Sequence, residues 1–208
     1  LENFFDEDLP GEWQLGFYSN EFSVVYVPAS DWIDDEDLSD WTDDVSETFR
    51  FILEIPADVV NDTNKFTVAL SKAKKLGDFC LGLVFTVNQV LMENVDTFRT
   101  HLQLATAFVP VCIDKQGIEL TDEVCELLKE KKISVVWNGD LSGIESLKRG
   151  ELALSRVSAD ELDMTQLRKV VEISLSVSTE NCISVLCLDG DPPSIEKLRN
   201  TEIILNLL

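Results

Sequence analysis

Seven short apolar segments recur along this chain, and their spacing constrains the fold more than any other feature. Each segment holds five to seven residues, and their first residues lie 18 to 31 positions apart. Repeated strand–helix units have this spacing, because each strand is followed by a connection long enough for a helix. The predicted strands are residues 23–27, 49–54, 80–86, 109–113, 134–138, 152–157 and 183–188.

The stretches between these strands have the periodicity of amphipathic helices. Residues 64–77 place apolar side chains at helical spacing and end at Gly77, a residue typical of helix C-termini. Thr121 precedes an acidic first turn and is a predicted N-cap, and Asp191 precedes two prolines and is another. The pattern therefore predicts strands that alternate with helices.

The predicted strands are nearly continuous apolar runs, which is typical of parallel strands covered by helices on both faces. Such a chain folds as an open doubly wound sheet or as a closed barrel. The sequence lacks the glycine-rich nucleotide-binding loops that often accompany the open sheet. We therefore predict an α/β fold, a TIM-like β/α barrel formed by residues 1–208 as a single domain. Because a complete barrel has eight strands, we expect it to be irregular or to have its first strand before Leu1.

Negative charge is concentrated in the first third of the chain. The formal net charge is −22, and residues 1–62 carry 18 acidic residues and one basic residue, Arg50. A field of this sign repels nucleic acids and anionic membranes, so we predict neither as a partner. The sequence also lacks an apolar run of the roughly 18 residues that a membrane helix needs, and we predict a cytoplasmic protein.

The cysteines and the histidine lack the patterns of a metal site or a nucleophilic site. The five cysteines include no C-x-x-C pair, and Cys112 and Cys187 lie inside apolar segments. The single histidine, His101, lies in a helix-patterned stretch, away from the strand ends where sites form in β/α proteins. We therefore predict reduced, mostly buried thiols, no metal site and no cofactor.

The order of motifs in the N-terminal third is distinctive. The aromatic element YSNEF (18–22) precedes a valine-rich strand, a helix that contains Trp41 and the phenylalanine-rich strand 49–54, and the chain closes with a strand, a polar loop and a helix. In this order, over nearly its whole length, the chain resembles the YecE-like family, also called domain of unknown function 72. The resemblance implies a TIM-barrel-like fold whose biochemical role is not established.

Three positions depart from the family's pattern. The family's first strand carries a glutamate where this chain has Tyr26 or a neighbouring valine, and its second strand ends in lysine where this chain has Glu54. The family's R-x-H-G strand end is reduced here to LSRVS, which keeps Arg156 and loses the histidine. If the family's site is catalytic, the resemblance implies that this chain has lost or reversed several of its charges.

Polar residues at the predicted strand ends are candidates for a pocket, because β/α barrels form their sites where strands end and loops begin. Glu54 is interpreted as a structural ion pair with Arg156 or Lys115, or as a general base whose pKa burial would raise. The similar sequences WNGD (137–140) and LDGD (188–191) indicate glycine turns that lead into helix caps, or a pair of aspartates that binds a cation or substrate hydroxyls. The candidate pocket comprises Glu54, Asn88, Asp114, Asn138, Asp140, Arg156 and Asp189.

Residues 31–47 hold nine acidic side chains in 17 positions. They do not match the calcium loop of an EF-hand, since no glycine falls at its turn. The segment is a solvated acidic loop and helix, or a docking surface for a basic protein partner with Trp32 and Trp41 as aromatic anchors, and these two tryptophans could equally cap the barrel. The residues of this candidate partner surface, the acidic surface below, are Asp31, Trp32, Asp34, Asp35, Trp41, Asp43 and Asp44.

Two functions from different classes remain open. The first is a non-catalytic, degenerate barrel that binds a basic partner through its acidic N-terminal third. The second is an enzyme that acts on a small polar substrate at the carboxyl ends of the strands, in one version with a divalent cation held by carboxylates of the candidate pocket. The sequence favours the first and does not determine the oligomeric state.

Overall fold

Helices and parallel strands alternate along the chain, as the apolar segments predict, and the α/β class is confirmed. The structure is a computed structural model that describes residues 10–35, 37–140, 143–160, 162–190 and 194–208. These residues cluster into two compact units. The larger unit ends at Ile133, and the smaller unit is formed in its described part by Ser134–Leu208.

The larger unit holds the first four strands, which lie side by side in chain order and pair in parallel. Their residues are mostly buried because helices cover the sheet, which explains why the strands read as continuous apolar runs. The strands are β1 (Val24–Val27), β2 (Arg50–Ile55), β3 (Cys80–Thr86) and β4 (Val111–Asp114). The helices are α1 (Gly11–Glu21), α2 (Ala57–Val60), α3 (Thr63–Lys75), α4 (Gln89–Glu93), α5 (Val95–Thr106) and α6 (Asp122–Glu130).

Local signals set the ends of these helices. The Asp62 carboxylate accepts hydrogen bonds from the first turn of α3, and three lysines lie in its last turn, where the helix dipole favours positive charge. Gly77 follows α3 with φ +53°, the left-handed conformation expected of a glycine at a helix end. Thr121 caps α6 by accepting from the backbone N–H of Val124, so its predicted role is confirmed.

Aromatic rings dominate the core of the larger unit. Phe49 and Phe51 are fully buried, and their centroids lie 5.1 Å apart in an edge-to-face arrangement. Phe66 of α3 and Phe85 of β3 meet in the same way at 5.7 Å. Such pairs contribute roughly 0.5–1.5 kcal/mol beyond the burial of their area, so they help to fix helices against the sheet.

The smaller unit pairs two long parallel strands in a register that places Arg156 opposite Cys187 and Ser158 opposite Asp189. An apolar core that includes Leu167, Val171 and Leu188 joins these strands to the helices. Its strands are β5 (Ser134–Val135), β6 (Leu152–Ser158) and β7 (Ile183–Asp189), and its helices are α7 (Ile144–Leu147), α8 (Met164–Val177) and α9 (Ile195–Leu205).

Six of the seven predicted strands agree with the structure to within two residues at either end. The exception is 134–138, since β5 ends at Val135 and an isolated parallel bridge at Trp137 continues the pairing to Ser155. The predicted N-cap Asp191 lies outside the described residues. In the described part, α9 begins at Ile195, and the Ser194 side chain caps it.

Candidate functional site

A surface cleft of about 320 Å³ lies at the carboxyl ends of β5 and β6 in the smaller unit. This is the position at which proteins built from β/α units place ligands, and small-molecule sites begin at about this volume. Trp137, Val157, Leu162, Val170 and Ile173 form its apolar wall. Gly139 and the polar residues Asn138, Ser158, Gln166 and Lys169 complete the lining.

The loop after β5 forms one side of the cleft because Trp137 holds it in place. The Trp137 backbone carbonyl accepts a hydrogen bond from the Arg156 N–H of β6 at 2.8 Å. The buried Trp137 indole N–H donates to the Asp140 carbonyl at 2.5 Å. Between them, Gly139 has φ +92°, a conformation that favours glycine, and a β-carbon built there would lie 3.4 Å from Val157.

Helix α8 forms the other side of the cleft through one of its faces. Gln166, Lys169, Val170 and Ile173 follow one another at helical spacing, so their side chains share that face. The first turn is fixed by a capping box, in which the Asp163 carboxylate accepts from the Gln166 N–H and the Gln166 side chain accepts from the Asp163 N–H. The start of α8 is therefore defined independently of any ligand.

Three polar side chains in this cleft make no hydrogen bond to other residues that the structure describes. They are the Asn138 amide, the Ser158 hydroxyl and the Lys169 ammonium, and all three residues are exposed. Lys169 also has no ion-pair partner within 4.0 Å among the described acids, although its neighbour Arg168 pairs with Glu172 at 2.8 Å. An amide, a hydroxyl and an ammonium group are thus left available to a ligand beside an apolar wall.

Arg156 and Asp189 form an ion pair across β6 and β7, with Nε 2.6 Å from Oδ2. Both side chains are half-buried, and neither residue lines the cleft. The Asp189 carbonyl also accepts from the Ala159 N–H at 2.6 Å. In the smaller unit these two candidates therefore tie the ends of adjacent strands together.

Burial raises the pKa of the neighbouring Cys187 thiol from about 9 to about 12, and the negative charge of Asp189 acts in the same direction. Burial also raises the pKa of Cys80 to about 12. Because the thiolate is the nucleophile, neither cysteine is activated for chemistry at neutral pH. None of the five cysteines, all of which lie in the described ranges, forms a disulfide bond.

We expect a thiol reagent at pH 8 to label Cys125 much faster than Cys80 or Cys187. Cys125 and Cys187 are both partly exposed, but a pKa of about 12 leaves Cys80 and Cys187 about a thousandfold less thiolate than the ordinary thiol value of about 9 would. Iodoacetamide labelling followed by mass spectrometry checks this, with a urea-unfolded sample and a Cys125→Ser variant as controls. Equal labelling of Cys125 and Cys187 in the folded protein would contradict it.

The raised pKa values of Cys80 and Cys187 also predict how the free energy of unfolding changes with pH. Both thiols have folded-state pKa values above the unfolded value of about 9. Their contribution to the free energy of unfolding is therefore fully present below pH 9 and is lost as the pH rises toward 12.

Glu54, near the end of β2, interacts with residues of the larger unit. Its carboxylate accepts from the Tyr26 hydroxyl at 2.9 Å, and its backbone carbonyl accepts from the Trp32 indole N–H at 2.9 Å. The predicted ion pair between Glu54 and Lys115 does not occur among the described residues. The donor to the Glu54 carboxylate is the neutral Tyr26 hydroxyl. The alternative pairing with Arg156 joins residues of different units and stays a prediction.

Asn88 and Asp114 serve local structure at two other strand ends. The Asn88 side-chain oxygen caps α4 by accepting from the Leu91 N–H at 2.9 Å, and it also accepts from the Asn61 amide at 3.2 Å. Asp114 is buried, and its carboxylate accepts from the Gln116 N–H at 3.0 Å. Both side chains thus stabilise the turns that follow β3 and β4.

The seven residues of the candidate pocket predicted from the sequence are divided between the two units. Glu54, Asn88 and Asp114 belong to the larger unit, and the other four residues belong to the smaller one. Of those four, Asn138 lines the cleft, while Asp140 contributes a carbonyl that holds Trp137. A single pocket shared by all seven stays a prediction.

The sequence analysis missed Ser158, Gln166 and Lys169. Ser158 ends β6, one residue beyond the predicted strand, so the strand-end rule would have found it. Gln166 and Lys169 occupy polar positions of an amphipathic helix, where solvent exposure is the ordinary interpretation. Nothing in the local sequence shows that α8 lies beside the end of β6.

The acidic surface is held in place by apolar side chains beneath it. Trp32 and Leu38 are fully buried, and the Lys72 ammonium donates to the Ile33 carbonyl at 2.6 Å. This corrects the prediction for Trp32, which belongs to the core and cannot anchor a partner. Trp41 is half-buried against Phe51, with ring centroids 5.5 Å apart. The exposed acids are Asp31, Asp34, Asp35, Asp37, Asp40, Asp43, Asp44 and Glu47.

Little positive charge balances these acids within the larger unit. Asp37 pairs with Lys75 at 3.2 Å, and hydrogen bonds from Ser39 together with Lys75 hold the pKa of Asp37 below its usual value. No other ion pair of the described residues involves residues 31–47. The surface therefore keeps most of its negative charge at neutral pH.

His101 lies in a helix, as its sequence pattern predicts, and its side chain belongs to the core. It is 1% exposed, its ring stacks on Phe66 with centroids 4.1 Å apart, and its Nδ1 is 2.7 Å from the Val60 carbonyl. The ring thus packs α5 against α2 and α3.

Neither a metal-binding cluster nor a membrane-spanning helix occurs among the described residues. No group of three or more His, Cys, Asp or Glu side chains within them has the arrangement of a metal site. None of the helices in the described ranges combines the length and the apolar character that crossing a bilayer requires.

Comparison with known proteins gives no family for this chain. No family model matches it, and no curated protein is significantly similar to it.

Proposed function

We propose that this protein is a non-catalytic binding protein whose acidic surface docks a basic protein partner. The observation that carries the proposal is the exposure of eight acids between Asp31 and Glu47 on a segment that Trp32 and Leu38 anchor in the core. An anchored cluster of like charges presents a fixed field, which speeds the encounter with an oppositely charged partner and selects against anionic ones. On the same ground, nucleic acid and membrane surfaces are not proposed as partners.

We further propose that the chain is a divergent YecE-like member with a TIM-like barrel and a cytoplasmic location. Two observations support the fold. Within each unit the strands pair in parallel and in chain order, without the reversal of a doubly wound sheet. The order α1, β1, Trp41 and β2 also follows the order of motifs that the resemblance implies.

The enzyme alternative has less support. Glu54, Asn88 and Arg156 each have structural hydrogen-bond partners in their own units. Among the residues that the structure describes, no nucleophile activated by a neighbouring base accompanies them, and the pKa of Cys187 is raised rather than lowered. We therefore do not assign a reaction.

The docking proposal predicts that neutralising the acidic surface weakens the binding of a basic probe. We expect the triple variant Asp34→Asn, Asp35→Asn, Asp43→Asn to bind a helical lysine–leucine peptide about five- to tenfold more weakly, since exposed charge pairs contribute roughly 0.3–0.5 kcal/mol each. Fluorescence anisotropy at about 50 and 300 mM salt measures the affinity and its salt dependence.

A matched control removes the same charge from another part of the larger unit. Glu93→Gln, Glu119→Gln, Glu126→Gln changes three acids that are equally exposed. We expect this variant to lose less than about twofold in affinity, because screening limits the reach of exposed charges. Equal losses in the two triple variants would show that net charge alone attracts the peptide and would overturn the docking surface.

A further inference from the structure

We infer that the cleft of the smaller unit binds a small amphipathic carboxylate, a ligand with one anionic end and a compact apolar body. The inference is independent of the acidic surface, which belongs to the larger unit. It rests on a cavity of about 320 Å³, on an apolar wall and on three polar side chains that have no partner among the residues that the structure describes.

Lys169 determines the charge of the ligand. It is the one charged residue of the lining in the described part of the chain, and no carboxylate pairs with it. The nearest acids along α8 have other partners, since Glu172 pairs with Arg168 and Asp163 caps the helix. An ammonium group left without a counter-ion beside a cleft offers three hydrogen-bond donors to an anion.

Asn138 and Ser158 position the anionic end. They follow β5 and end β6, so both lie at the carboxyl ends of the strands and line the same cleft as Lys169. An amide N–H and a hydroxyl are donors that suit a carboxylate oxygen. Convergent polar groups of this kind fix the orientation of a ligand in a mostly apolar cavity.

The apolar wall of the cleft determines that the body of the ligand is apolar. Ile173 and Leu162 are half-buried and still expose apolar surface, so an apolar group seated against them removes that surface from water, while the buried Trp137 and Val157 form the back of the cleft. A purely ionic ligand such as acetate would leave this wall in contact with solvent. The cleft therefore favours carboxylates with about four or more apolar carbons over shorter ones.

Titration of the 208-residue chain with hexanoate tests the inference. We expect saturable shifts in ¹H–¹⁵N NMR spectra at Gly139, Ser158 and Lys169, with a dissociation constant on the order of 10 mM for a ligand of this size. Hexan-1-ol lacks the charge and acetate lacks the apolar body, so each should bind about threefold or more weakly. Shifts that do not saturate, or that lie away from the cleft, would refute the site.

Two charge variants of the smaller unit separate a specific contact from general attraction. Lys169→Gln should weaken hexanoate binding by up to about fivefold, the usual limit for an exposed ion pair. Lys148→Gln removes an equal charge from an exposed residue of the same unit, outside the lining, and should change the affinity by less than about twofold. An equal effect of the two variants, or tighter binding of hexan-1-ol than of hexanoate, would overturn the assignment.

Discussion

Replacing Trp32 with alanine is expected to lower the free energy of unfolding by about 3–5 kcal/mol. The side chain is 0% exposed, and its indole N–H donates to the Glu54 carbonyl at 2.9 Å. Alanine would leave a cavity and would remove the donor from a backbone carbonyl of β2. Urea denaturation followed by circular dichroism measures the change.

A Trp32→Phe variant is the control for this prediction, because it keeps an aromatic ring and removes the N–H. We expect it to lose about 1–3 kcal/mol, the cost of a buried carbonyl without its donor together with imperfect packing. A loss below about 1 kcal/mol in Trp32→Ala would mean that the segment 31–47 is not anchored. That result would also weaken the docking proposal, which depends on a fixed arrangement of the exposed acids.

The second large effect is expected at Trp137 in the smaller unit. Trp137→Ala should destabilise the protein by about 3–5 kcal/mol, since the side chain is 2% exposed and belongs to the apolar core. The indole also holds the loop after β5 through the Asp140 carbonyl. Hydrogen exchange of the β6 and β7 amides shows whether the loss of stability is located in this unit.

Trp137 also links stability to the proposed cleft. We expect Trp137→Phe to retain most of the packing and to bind hexanoate more weakly than the natural protein, because the loop that carries Asn138 and Gly139 loses its hydrogen bond to the indole. If Trp137→Phe keeps the free energy of unfolding and the hexanoate affinity of the natural protein, the hydrogen bond from the indole to the Asp140 carbonyl does not position the loop. The stability prediction and the binding prediction can therefore fail separately.

The docking surface and the cleft differ in their sensitivity to small shifts of the backbone. The acidic surface depends on exposure and charge, which both persist if the loop adjusts by a few ångströms. The cleft depends on the relative placement of two strand ends and one helix face, so small shifts of α8 change it. For that reason the NMR test, which reports on each residue, suits the cleft better than a global assay.

The sequence alone determined six of the seven strands, because their signal is local. A parallel strand buried on both faces needs a run of apolar residues, and 80–86 shows such a run whatever lies around it. The same holds for the Thr121 cap, whose hydroxyl reaches a backbone N–H three residues away. His101 was likewise placed in a helix from the periodicity of its surroundings.

Only the tertiary structure decided what the polar and aromatic residues do. Trp32 lies among acids and looked like an exposed anchor, but its contact is with β2, 22 residues further along the chain. Glu54 meets Tyr26 because the β1–β2 register places Tyr26 opposite Ile52, on the same face of the sheet as Glu54. Lys169 joins Ser158 only through the packing of α8 beside β6. Side-chain partners depend on contacts between distant segments, and a local pattern carries no information about which segments will meet.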